Sequence, residues 1–290
     1  GNPAGVDLTS SQTISGFKTF TGGLSSTGAG ADSFRAGTGA GATTQGDNSI
    51  AIGRSAASTN QAIQSIAIGY YAGQSDQSSY SISLGYVAGR LAQATQAVAI
   101  GFGAGSYNQK SQAVAIGNQA GMGSTTVGDF QGAYAVAVGN LAGTTTQGAS
   151  SVAVGNSAGQ NRQLANAVAI GTAAGATDQD QRSVAIGYNA GFVDQGYGGI
   201  GIGSDAGRTN QANAATAIGS TSGYLNQGGL ATAVGADSGR YNQAGSAVAI
   251  GNQAGMGSTA VGDFQGSNAV AIGNTAGRNT QGASSVAVGP

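Results

Sequence analysis

Residues 98–117 read Val98-Ala99-Ile100-Gly101-Phe102-Gly103-Ala104-Gly105-Ser106-Tyr107-Asn108-Gln109-Lys110-Ser111-Gln112-Ala113-Val114-Ala115-Ile116-Gly117. The stretch opens and closes on one apolar tetrad, with both tetrads ending in glycine. The same landmark glycine recurs from Gly37 to Gly289. Thirteen of its fifteen steps are 16 residues, and the other two, Gly117 to Gly139 and Gly251 to Gly273, are 22. A short fixed period means that each unit touches only its neighbours, so the chain is a rod rather than a globule.

Sixteen residues suit one coil of a β-solenoid, with two short strands and two turns. Within Val98-Ala99-Ile100 the spacing of large residues is two, the period of a strand, and β-branched residues dominate. A helix would carry a glycine cost of about 1 kcal/mol per position. The alternation predicts that Val and Ile fill the coil interior while the alanine face lies against another chain. On that reading each coil hides one Val and one Ile, worth about 3–6 kcal/mol before entropy is subtracted. The expected fold class is all-β, a parallel solenoid of 16-residue coils stacked ~4.8 Å apart into a rod of about 75 Å.

Between tetrads the unit is equally regular. Ala or Ser stands third after the landmark, as at Ala56, Ala72, Ala88, Ala104, Ser222 and Ser238, and glycine follows it almost always. A glutamine stands eight residues before each following landmark: Gln45, Gln61, Gln77, Gln93, Gln109, Gln131, Gln147, Gln163, Gln179, Gln195, Gln211, Gln227, Gln243, Gln265 and Gln281. This column reads as an amide ladder, each side chain bonding its equivalent one coil away and fixing the register of a repetitive sheet. A stripe that binds ligand is the other reading.

Composition narrows the function classes. The 290 residues include 55 Gly, no Cys, no His and no Trp, and all 11 acidic residues are Asp. Thiolate and imidazole chemistry, disulfides and zinc sites of the usual type are thereby excluded. A net charge of −1 with 7% charged residues offers no footprint for nucleic acid and little for an anionic membrane. No stretch has the length of a transmembrane helix, no cofactor or metal is expected, and the glycine-rich run Gly199 to Gly203 matches a dinucleotide loop only by chance. An acyltransferase β-helix would need hexapeptide periodicity and commonly a His base. An ice-binding solenoid would want a regular Thr face.

Two organisational features stand apart. Residues 1–36 read as a connector with short strands, before the repeat domain of 37–290. The chain ends on Val288-Gly289-Pro290, where a fresh repeat would start, as a piece of a longer fibre would. The two 22-residue coils, at 117–139 and 251–273, are near copies and carry bulging turns with Met122, Asp129 and Phe130, and Met256, Asp263 and Phe264. Loops on a rigid scaffold are where recognition resides, although a bulge that packs on a neighbouring chain would look the same. Tyr70, Tyr86 and Phe102 follow the landmark directly in three successive coils. They form either a platform for sugar rings or a plain aromatic stack.

The tetrads, as at Ser183 to Gly187 and Ser65 to Gly69, resemble the head repeats of trimeric autotransporter adhesins. The resemblance covers about 250 of the 290 residues. It implies a left-handed parallel β-roll, three chains side by side at the tip of a surface fibre. That family's unit is usually a residue or two shorter, and the Ala-Gly and Gln signature is not its typical filling. The segment Gln12 to Thr21 is similar to connector sequence of phage and other viral tail fibres, which borrow such repeats. The expectation is a homotrimeric, non-enzymatic fibre segment on a virion surface that meets a host cell-surface glycan or protein by multivalent contact, without membrane insertion. The head of a bacterial adhesin at the cell surface is the alternative.

Overall fold

The computed structural model describes residues 30–289, apart from Val127, Asp129, Val261 and Asp263. The tetrads form one parallel sheet of 16 strands, running from Phe34–Ala36 through Val98–Ile100 to Val286–Val288. Each strand has three residues, and each pairs with the next in the same register: Val152 with Val168, Ala153 with Ala169, Val154 with Ile170. The longer coils do not disturb this. Val114 pairs with Val136 and Val248 with Val270 across the 22-residue steps.

A second wall ends on the glutamines. Five strands from Asn161–Gln163 to Leu225–Gln227 form one sheet, and Thr59–Gln61 pairs with Ser75–Gln77 in another. Isolated parallel bridges such as Gln131 to Gln147 and Gln243 to Gln265 continue the wall between and beyond them. All described strands are parallel, and no helix occurs among the described residues.

The interior is the reverse of what hydrophobicity alone predicts. Alanine, not Val or Ile, faces inward: Ala99, Ala115, Ala137, Ala153 and Ala169 are fully buried, while the residues beside them are half-buried or exposed. They interleave with the alanines that follow the landmark, Ala104, Ala120, Ala142, Ala158 and Ala174, in one continuous cluster. At these places within the stack the coil is too narrow for a Val or Ile side chain. Even at Gly201, which takes an alanine place in the sheet, an added Cβ would lie 2.8 Å from the Ala206 carbonyl oxygen. The alanine face is therefore consumed inside each chain and cannot lie against a sister molecule, and the Val and Ile are not the hidden payload of the coil.

The corners explain the glycines. Gly69 has φ 131°, and a Cβ there would sit 2.4 Å from the carbonyl oxygen of Gly85 in the next coil. Non-glycine residues also take left-handed conformations at the turns, including β-branched Val87 at φ 49° and Thr221 at φ 52°. At the first strand, Arg35 occupies the alanine place opposite Ala51 and donates from Nη1 to the Gly41 carbonyl, closing that end of the interior.

Candidate functional surfaces

The glutamines span the space that the alanines leave. In a regular coil, Gln179 donates from Nε2 to the Val168 carbonyl at 2.9 Å and to Gln195 Oε1 at 3.0 Å, while its own Oε1 accepts from Gln163 at 2.9 Å. Both donors and the acceptor of the Gln179 amide are thus used within the chain. Links of this kind, 2.9–3.3 Å long, run from Gln61 to Gln281 and include both 22-residue steps, Gln109 to Gln131 and Gln243 to Gln265. The preceding Ala-Gly pair belongs to the same device, because a Cβ on Gly175 would sit 2.6 Å from Gln179 Oε1.

One link is absent, and its cause is local. Gln45 Oε1 and Gln61 Oε1 are buried without partners, although the two residues are bridged through their backbones. Between them the glycine place of the Ala-Gly pair holds Ala57, at φ 45°. Elsewhere the ladder absorbs an intruding polar group: Ser83, standing in an alanine place, donates to Gln93 Oε1 at 2.8 Å.

Tyr70, Tyr86 and Phe102 form one stack, with centroids 5.0 and 5.1 Å apart and interplanar angles of 11° and 2°. The ring faces meet each other, and Arg54 lies 5.8 Å from the Tyr70 centroid at the end of the row. A sugar that packs on a ring face finds the faces between neighbouring rings occupied, so Tyr86 offers only its edges. Tyr71 closes on Tyr70 edge to face at 4.3 Å, and its hydroxyl hydrogen bond raises the Tyr70 phenol above the ordinary tyrosine value.

The bulges diverge in their surroundings. Phe130 lies under Lys110, whose Nζ is 5.1 Å from the ring centroid, whereas Phe264 is 42% exposed because Ala244 holds the corresponding place. Asp129 and Asp263 lie outside the described residues. Among the described residues, no group of three acidic or other metal-ligating side chains is placed to hold a metal ion.

Two surfaces escaped the sequence reading. Arg208 sits between Phe192 and Tyr224, 5.4 Å from each centroid, and Arg240 between Tyr224 at 5.6 Å and Tyr241 at 4.9 Å. Arg208 Nε is also 3.2 Å from Asp205 Oδ1, an ion pair too oblique for a hydrogen bond. The recurrence of an Arg or an aromatic residue five places after the landmark, at Phe192, Arg208, Tyr224 and Arg240, was the available signal. The second surface is the outward face of the long sheet. From Ile50 to Val288 each of its side chains is Ile, Val, Leu or Thr, and Ile116, Ile170, Ile218 and Ile250 are 38–39% exposed.

On the opposite wall a depression of about 190 Å³ is lined by Arg162, Asp178, Asp180 and Asp194. Arg162 pairs with Asp178, and that contact holds its guanidinium pKa above the usual value. Compared with known proteins, the chain matches no family model, no curated protein and no solved structure.

Proposed function

We propose that this chain is a structural and adhesive fibre segment: a rigid rod, several chains together, that presents side chains to a host surface from a virion. The observation that carries the reading is the filling of the coil. Among the described residues the interior is filled mainly by alanine and glutamine, so the chemistry available to a partner lies on the outside, repeated along the axis. Such a surface acts by many weak contacts rather than one strong site. The exposed edges of Tyr86 and Phe102 and the exposed ring of Phe264 are the proposed contact points for a cell-surface glycan or protein.

The homotrimer and the viral owner come from the resemblance of the tetrads and of residues 12–21, the latter outside the described residues. The tetrads also fit the runner-up reading, the head of a bacterial trimeric adhesin, and a coiled-coil stalk with a C-terminal barrel in the full-length gene would decide for it.

Electron microscopy of the purified chain should show rods of about 75 Å. Binding to an array of cell-surface glycans and to intact cells should be detectable, and the combined substitution Tyr86→Ala, Phe102→Ala and Phe264→Ala should weaken it. Compact particles, or binding unchanged by the triple substitution, would overturn the reading.

A further inference from the structure

We infer that the outward Val and Ile ribbon is the seam on which copies of this chain associate, ribbon against ribbon. The inference rests on the multichain rod proposed above and names the face that would hold it. The alanine face, the obvious alternative from sequence, is already spent inside the coil.

Three properties of the ribbon point to a second copy as its occupant. The first is area. Sixteen rungs at ~4.8 Å and two side chains per rung make a strip roughly 75 Å by 10 Å, on the order of 750 Å². That exceeds the largest apolar patch of a typical monomer, about 300–600 Å². It is close to the ~800 Å² per partner of a stable protein interface.

The second is charge. Among the described residues from Asp47 onward, no charged residue stands in a strand of the long sheet, so two ribbons meet without burying an ion. The opposite wall carries Arg162, Asp178 and Asp194 and lacks this property.

The third is pitch. The ribbon is a ladder of ridges in constant register, Val168 over Val184 and Ile170 over Ile186. A partner keeps its side chains between those ridges over the whole length only if it has the same rise per coil. A second solenoid of this sequence does.

The test uses the whole chain. Ile116, Ile170, Ile218 and Ile272 lie on every third coil, so lysines there are well separated. Sedimentation equilibrium of the wild type should give a multiple of 27.6 kDa. The fourfold Ile→Lys variant should sediment as a 27.6 kDa monomer with an unchanged β-sheet circular dichroism spectrum. Lysines at the exposed corner residues Tyr134 and Leu230 should leave the mass of the assembly unchanged. Should the lysine variant fail to fold, threonine at the same four sites serves instead, since Thr216 and Thr232 already stand in the ribbon. The dissociation constant should then rise at least tenfold. A wild type that associates while both ribbon variants associate equally well overturns the seam and leaves the multichain rod intact. A wild type that stays at 27.6 kDa at every concentration overturns both, and assigns the ribbon to some other occupant.

Discussion

At Gly203 two demands coincide: a backbone φ of 127° and a carbonyl oxygen of the next coil 2.7 Å from where a Cβ would be. Gly203→Ala should therefore destabilise by about 2–4 kcal/mol, read as a fall in urea midpoint, since neither the strain nor the clash can be relieved without moving a coil. The reverse change helps at Ala57. Ala57→Gly removes a left-handed alanine and lets the Gln45 amide reach Gln61 Oε1, for an expected gain of about 0.5–1 kcal/mol. Gln179→Met keeps the volume and removes the amide, breaking two ladder links and leaving the buried Gln195 Oε1 without its donor. It should cost about 3 kcal/mol or more in thermal unfolding. The glutamine column and the Ala-Gly pair were legible as a pattern. Their interdependence was not, because it lies in a contact across four residues that no periodicity records.

Elements of three residues carry little information on their own. The period-two alternation of Val98-Ala99-Ile100 defined two faces but not which one points inward, and transfer free energy favoured the larger side chains. The outcome was set by width: within the stack the walls approach so closely that a side chain the size of alanine or serine fits between them, while glutamine bridges the remaining gap. The 22-residue coils were legible as bulges on an unbroken ladder, because Gln131 keeps its distance from Gly139. Deleting residues 124–129 turns that coil into a 16-residue one with Gln131 again eight places after Gly117. The shortened chain should keep its circular dichroism spectrum and its stability to within about 1 kcal/mol, since loop length enters stability only logarithmically. A collapse of the fold would mean that the bulge itself props the coil open. The Arg208 and Arg240 sandwiches went unread because their pattern shows only when successive coils are laid over one another.

As a whole molecule the chain behaves as a stack in which each coil bonds only the coils above and below. Removing residues 236–290 should therefore lower the urea m-value roughly in proportion to the coils lost, and leave the remainder folded. The claim on which everything else rests is that small side chains fill the rod and large ones clothe it. Ala233 and Ala236 test it most directly, being three residues apart, the first fully buried and the second exposed. Thermal unfolding of Ala233→Val and Ala236→Val should separate them, with the buried change costing about 1–3 kcal/mol from overpacking and the exposed one within about 0.5 kcal/mol of wild type. A harmless Ala233→Val beside a damaging Ala236→Val would contradict the account.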